Sequence, residues 1–189
     1  MKFSYFAFDL LILSVMAVSC SNPTPKPYGY FRIALPENSY RILDKNYPYT
    51  FDISTFASDS AVNQGKGDYW LNIFYPQLKG CIYCSYIPIH GNFRTIAEDC
   101  RTFVYKHTVK AEAITEQPYE NPNNKVYGIL YEIKGDAASP IQFMLTDSVH
   151  HVLRGALYFD AVPNKDSIAP VLNYVRKDII RMIETTKWK

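Results

Sequence analysis

The chain has 189 residues, which is enough for one medium-sized domain with its own hydrophobic core. Apolar residues make up 48% of it and charged residues 20%, a composition that excludes an intrinsically disordered chain. The net charge is +2, and lysine and arginine are scattered along the chain, so nothing indicates a nucleic-acid-binding protein.

The first nineteen residues are organised as a signal peptide. Lys2 supplies a positive start, and Leu10–Val18 is an apolar run that is shorter than the about 20 residues of a membrane span. The small residues Ala17–Ser19 precede Cys20, as in the lipoprotein box of bacteria. This predicts cleavage before Cys20 and lipidation of its sulfur. The alternative is an ordinary secreted protein, cleaved near Ser19, in which Cys20 is a free thiol.

Residues 20–27 are predicted to be a membrane-proximal spacer. Three prolines, at positions 23, 25 and 27, favour an extended and stiff segment that rises about 3 Å per residue. No acidic residue lies between Cys20 and Glu37. In related lipoproteins an acidic run after the cysteine goes with export to the surface, so we expect an outer-membrane anchor that faces the periplasm. Residues 28–189 are predicted to form a single domain.

The first part of that domain is predicted to consist of strands, because aromatic and β-branched residues favour them. Two of these strands read as a hairpin with a short turn around residues 76–79. The predicted strands are Tyr28–Ala34, Ser39–Leu43, Tyr49–Ala57, Tyr69–Tyr75 and Gly80–Ile87.

A helix follows, capped by Asn92 and ending near Lys110. Its apolar face is predicted to contain Phe93, Ile96, Ala97, Cys100, Val104 and His107. Next come a short strand and an antiparallel meander with short links. These strands are predicted at Ala113–Gln117, Lys125–Gly135, Pro140–Asp147 and Val149–Asp160.

The last forty residues read as a strand, a polar turn and a long helix. In the strand, even-numbered residues from Val152 to Tyr158 alternate with odd-numbered ones from Leu153 to Phe159. The turn is Pro163–Asp166, and Asp166 or Ser167 is expected to cap the helix, with Pro170 in its first turn. The apolar face of this helix is predicted to contain Ile168, Leu172, Val175, Ile179, Met182 and Ile183.

The order of strands, helix, strands and helix predicts an α+β domain. We expect one mostly antiparallel sheet with two covering helices, because the strands come in sequential runs. The element order is similar to the Mog1/PsbP-like sandwich.

The domain contains three cysteines that are candidates for a chemical site. Cys81 and Cys84 form a C-x-x-C within a strand, where residues three apart point to opposite faces and cannot readily bond to each other. The alternatives are a thiol-active site, half of a metal site, one buried and one surface cysteine, or a bridge to Cys100. A zinc site with His90 as fourth ligand is a further alternative, but a buried cysteine packed on a helix is the commoner case.

No catalytic group, metal or cofactor is predicted. His107 would interact favourably with the C-terminal end of the first helix. Asp147, Ser148, His150 and His151 are adjacent in sequence, but a catalytic triad is recognised by its spatial geometry and no nucleophile elbow is present. Turn residues explain Asp147 and Ser148 more simply.

Four residues are candidates for binding a partner protein. Tyr28 and Tyr30 follow the spacer and could form an aromatic docking patch, although an edge strand of the sheet is the preferred interpretation. Arg154 shares a strand face with apolar residues, where it either pairs with a carboxylate or marks a recognition pocket. Lys165 lies in a polar loop of the type that often contacts partners.

Several stretches resemble the gliding-motility lipoprotein GldD family. They are PKPYGYFRIALPE from Pro25, YKHTVKAEAI from Tyr105, VYGILYEIKGDAASPIQFMLTDS from Val126 and LRGALYFDAVPNKDSIAPVLNYVRKDIIRMIETTKWK from Leu153. The resemblance implies a lipid-anchored, non-enzymatic component of the gliding and type IX secretion machinery that binds other envelope proteins of that machinery. Two alternatives are a thiol-active factor, which would need an accessible low-pKa cysteine, and a carrier of a small ligand or lipid between helix and sheet.

Overall fold

A computed structural model describes residues 35–62, 69–106, 111–160 and 164–189. Its helices are α1 (Phe93–Tyr105) and α2 (Lys165–Thr185). Its strands are β1 (Tyr40–Ile42), β2 (Tyr49–Thr50), β3 (Asp52–Ser54), β4 (Ser58–Val62), β5 (Trp70–Tyr75), β6 (Gly80–Pro88), β7 (Ala111–Asn121), β8 (Val126–Gly135), β9 (Ile141–Thr146), β10 (His151–Phe159) and β11 (Lys187–Trp188).

Seven of these strands form one antiparallel sheet in the order β4-β5-β6-β10-β9-β8-β7. Two small two-stranded sheets, β1-β3 and β11-β2, accompany it. The α+β class with a mostly antiparallel sheet and two covering helices is therefore confirmed.

The helices cover opposite faces of the sheet. The main core lies on the α2 face, where Val175 and Ile179 pack with Leu153 and Leu157 of β10. On the other face, Val152 of β10 packs against α1. The predicted alternation of β10 is confirmed, because its two sets of side chains belong to two different clusters. All six residues of β9 are buried, since this strand is covered on both faces.

Gly155 in the middle of β10 allows the core to close. A Cβ atom built at this position would overlap three ring carbons of Phe143 on the neighbouring strand, and even the farthest of them would be at 2.9 Å. Phe143 is fully buried. A glycine is needed here because the aromatic ring occupies the space of a side chain.

The C-terminal helix differs from its prediction at its beginning. The Asn164 side chain accepts a hydrogen bond from the Ser167 N–H at 3.1 Å, so Asn164 is the cap rather than Asp166 or Ser167. Pro170 consequently lies inside the helix and not in its first turn. The buried face is also wider than predicted, because Val171, Tyr174 and Asp178 are buried as well.

Asp178 is a charged residue inside the main core, with only 2% of its surface exposed. Its carboxylate accepts hydrogen bonds from Asn38 Nδ2 at 2.7 Å and from the Tyr75 hydroxyl at 3.0 Å. Burial raises the pKa of this carboxyl above its ordinary value, although the hydrogen bonds oppose the shift. Asp178 therefore links α2 to β5 and to the segment before β1.

The strands predicted from the sequence differ most from the structure in the N-terminal part of the domain. The strand predicted at Tyr49–Ala57 is in fact β2 and β3, because the chain changes partner there: β2 pairs with β11 and β3 with β1. Strand β4 was not predicted, since Ser58–Val62 is polar and becomes a strand by pairing with β5. The strand predicted at Tyr28–Ala34 lies outside the described residues.

Two predictions around α1 also need correction. The Asn92 side chain accepts from the His90 N–H at 2.9 Å and leaves the first N–H groups of α1 without a side-chain cap. Strand β7 runs over Ala111–Asn121, which is longer than the predicted Ala113–Gln117. His107 and the predicted end of the helix near Lys110 lie outside the residues that the structure describes.

Candidate functional site

Helix α1 covers only part of its face of the sheet. Its buried residues pack on Met144 and Val152 and on Tyr131 and Ile133, which belong to strands β8, β9 and β10. Strands β5 and β6 and the end of β10 continue this face beyond the helix. Within the described ranges, no second helix lies over this part of the sheet.

We call this uncovered region the open face and define it by Phe74, Cys81, Tyr83, Arg154 and Tyr158. Strand register places them together, because Phe74 pairs with Cys81 and Cys81 with Tyr158, and directly paired residues point to the same face. The Tyr83 and Tyr158 rings meet edge to face with centroids 5.7 Å apart. Tyr83 is 46% exposed, so nearly half of a large aromatic side chain is accessible to solvent.

A depression of about 630 Å³ lies at one end of the open face. Phe74, Tyr83 and Tyr158 line it, and Cys81 lies at its base with 8% of its surface exposed. Lys79 and Asp160 contribute one charge of each sign to its lining. The surface is thus mainly aromatic, nearly neutral and concave.

Arg154 connects the open face to α1. Its guanidinium carbon lies 4.4 Å from the ring centroid of Phe103, and its Nη2 donates to Gln142 Oε1 at 3.4 Å. The Lys106 ammonium lies 4.8 Å from the same ring centroid. Phe103 remains 43% exposed between these cations. Arg154 is half-buried, and among the described residues it stacks on an aromatic ring instead of pairing with a carboxylate.

The three cysteines lack the properties of a thiol-active site. Cys84 packs in the main core and Cys81 points to the other face, so the prediction that they do not face each other is confirmed. All three are free and buried, which contradicts a surface cysteine and a bridge to Cys100. Burial raises the pKa of Cys81 to about 11 and raises the pKa values of Cys84 and Cys100 too.

The segment from Asp147 to His151 is a turn. Asp147 Oδ1 accepts from the N–H groups of Val149, His150 and His151 at 3.0, 2.7 and 2.8 Å. Burial would raise the pKa of Asp147, but these hydrogen bonds outweigh it and lower the pKa. His151 Nδ1 lies 2.7 Å from the Tyr86 hydroxyl, and its ring stacks on Trp188 at 5.1 Å. The interpretation of Asp147 and Ser148 as turn residues agrees with this geometry.

The structure leaves the other predicted site residues outside its described ranges or away from the open face. Cys20, Tyr28 and Tyr30 lie outside the described part of the chain, and Lys165 is the first residue of α2 rather than part of a loop. His90, Cys81, Cys84 and Cys100 do not converge, and no group of three potential metal ligands occurs in the described ranges. Over the same ranges, no helix has the length and apolar character that a membrane span requires.

Sequence reasoning found Arg154 but missed its aromatic neighbours. The sequence does contain one of these aromatic residues on each of three strands, at Phe74, Tyr83 and Tyr158. It also places Phe103 at the border of the apolar face of α1. That signal could not be used without the strand order, because β6 and β10 are far apart in sequence and adjacent in the sheet.

Comparison with known proteins gives a family. No curated protein matches the sequence significantly. The chain is similar to the solution structure of cyanobacterial PsbP (CyanoP) from Synechocystis sp. PCC 6803, at 8% identity and a TM-score of 0.46, over 87% of this chain and 99% of that one. The model of the family described as gliding motility lipoprotein GldD matches residues 20–188. The chain therefore belongs to the gliding motility lipoprotein GldD family.

Proposed function

We propose that this protein is a lipid-anchored, non-enzymatic adaptor of the gliding and type IX secretion machinery. The lipid on Cys20 holds it in the outer membrane facing the periplasm, and the open face binds another envelope protein of the machinery. The observation that carries the proposal is the uncovered aromatic surface around Tyr83, with Arg154 and Phe103 beside it.

The composition of the open face suits a protein interface. Tyrosine, phenylalanine and arginine are enriched at the centres of interfaces, where a few such residues supply most of the binding energy. Large exposed aromatic groups are uncommon on the surface of a protein without partners when they adjoin one another. Lys79 and Asp160 at the edge of the depression would then form part of a polar rim.

Photo-crosslinking in living cells tests which surface binds. A benzoyl-phenylalanine placed at position 83 should crosslink to another gliding or secretion protein, because Tyr83 points outward from the open face. The same probe at position 42 is the matched control, since Ile42 is also an exposed apolar residue but lies on β1. Equal crosslinking from both positions, or none from position 83, would contradict the proposal.

A substitution of the same residue connects binding to motility. Tyr83→Glu should abolish colony spreading while the protein stays folded, because its side chain is largely at the surface. Ile42→Glu should leave spreading unchanged. Motile cells that carry Tyr83→Glu at normal protein levels would show that the open face is not the docking site.

The anchor is tested separately. Cys20→Ala should move the protein from the membrane fraction to the soluble periplasmic fraction, because two or more acyl chains are needed for stable anchoring. In intact cells the wild-type protein should resist added protease and become sensitive only when the outer membrane is permeabilised. Digestion in intact cells would place the domain on the cell surface instead.

A further inference from the structure

One side of the N-terminal part of α2 is less deeply buried than the rest of its apolar face. Val175, Ile179 and Met182 in the second half of the helix are fully buried, whereas Ile168 and Leu172 remain only half-buried. The helical spacing of the sequence places all five on one face. Leu172 packs at the edge of the main core, and both Ile168 and Leu172 keep part of their apolar surface exposed.

A cleft of about 360 Å³ lies at this place, between α2 and the ends of strands β7, β8 and β9. It is on the α2 face of the sheet, opposite to the open face. Its apolar lining is contributed by Pro140 and Ile141 from the sheet side and by Ile168 and Leu172 from the helix. The volume is at the lower end of the range of about 300–1,000 Å³ that small-ligand sites have.

Charged groups of both signs surround this apolar lining. Arg176 Nε lies 2.6 Å and its Nη2 2.5 Å from Glu132 Oε1, so this pair is fixed on one side of the cleft. Lys134 supplies a second positive charge, and Asp166 and Glu112 supply further negative charges. A head group with a single charge would be attracted by one part of this rim and repelled by another. A head group that carries both charges can meet both.

We propose that the cleft binds a single-chain amphiphile with a zwitterionic head group. The short apolar chain packs between Ile168 and Leu172 of the helix and Ile141 of β9. The ammonium group of the head lies toward Asp166 and Glu132, and its acidic group lies toward Lys134 and Arg176. This site shares no residue with the open face, so the proposal stands independently of the adaptor function.

The experiment uses the mature chain carrying Cys20→Ser and decylphosphocholine below its critical micelle concentration. Methyl resonances of Ile141, Ile168 and Leu172 should shift in a saturable way that fits one site. Leu172→Asn should weaken binding at least tenfold, because it places an amide in the apolar lining. Val149→Asn, which changes an exposed apolar residue on the turn between β9 and β10, should leave the affinity unchanged.

Two further arms test the assignment of the head group. Decyl sulfate and decyltrimethylammonium carry the same chain with one charge each, and both should bind at least fivefold more weakly than the zwitterion. Equal binding of all three would overturn the assignment of a zwitterionic ligand. Absence of a saturable shift at Ile141 and Leu172, or an unchanged affinity of Leu172→Asn, would overturn the site. If Leu172→Asn does not fold, Ile168→Asn serves in its place.

Discussion

The close approach of Phe143 to Gly155 gives the sharpest prediction for stability. In Gly155→Ala, the new methyl group would lie within 2.9 Å of three ring carbons, whereas carbon atoms normally pack about 3.5–4.0 Å apart. Because the nearest ring carbon would lie at only 2.1 Å, the ring must move by more than about 1 Å inside a fully packed core. Overpacking of this kind costs about 1–3 kcal/mol, and we expect the upper end because Phe143 is fully buried.

Urea unfolding of the Cys20→Ser chain measures the effect. In thermal unfolding of the same chain, a loss of about 3 kcal/mol would lower the melting temperature by about 6–12 °C for a protein of this size. Phe143→Leu removes the overlapping ring atoms, so Gly155→Ala should cost much less in the Phe143→Leu background. A double-mutant cycle then gives a favourable coupling between the two substitutions.

Gly80→Ala is the matched control. The nearest atoms to a Cβ atom there belong to the Phe159 side chain, at 3.1 and 3.3 Å, and Phe159 is half-buried and can move. We expect a cost below about 1 kcal/mol. If Gly155→Ala costs no more than Gly80→Ala, or if the double-mutant cycle shows no coupling, the steric explanation of Gly155 is refuted.

Three further predictions concern the buried polar groups and the C-terminus. Burial raises the pKa of Asp178 in the folded state, so the folded protein binds this proton more tightly than the unfolded chain does. The free energy of unfolding should therefore fall as the pH rises above about 4. Asp178→Asn should remove this fall in urea unfolding between pH 4 and pH 8, and parallel profiles of the two proteins would contradict the prediction. The three thiols of the Cys20→Ser chain should react with Ellman's reagent at pH 8 only after unfolding, and rapid reaction of the native protein would contradict their burial. Trp188→Ala should cost about 2 kcal/mol in thermal unfolding, because it removes the stack on His151 and the hydrogen bond from Nε1 to the Lys125 carbonyl at 3.0 Å, whereas Trp188→Phe should keep part of that stability.

The second half of the domain was predictable because its periodic patterns are long. Strand β10 alternates over nine residues, with Leu153 and Leu157 in the core under α2 and Val152 packed against α1 on the other face. The predicted meander of β8, β9 and β10 is confirmed by antiparallel pairing. Local preference and tertiary packing agree in this region, so the sequence pattern was sufficient.

The first half was less predictable because its strands depend on distant partners. Strand β2 exists through two residue pairs with β11 at the other end of the chain. Strand β4 has the sequence Ser-Asp-Ser-Ala-Val, which has little strand preference of its own. Pairing with β5 supplies the missing stabilisation, and no pattern within five residues can report it.

In the candidate sites, too, some features follow from local sequence patterns and others only from contacts between distant elements. Arg154 stands out in the sequence because it interrupts an apolar strand face. The group that it contacts, however, is the Phe103 ring of α1 and not a carboxylate. The cleft beside Leu172 was invisible, because helical spacing predicts a buried residue there. Only the position of α2 relative to the sheet leaves that residue half-exposed.

Residue types and their spacing were enough to predict the family, a lipidation site at Cys20, the α+β class and the two faces of β10, because each depends on residues close together in the chain. Only contacts between distant elements show that α1 covers just part of its sheet face and that a cleft remains beside Ile168 and Leu172 on the other face. Both surfaces arise from the placement of whole elements. That placement depends on contacts between residues far apart in the chain, which a local pattern does not contain.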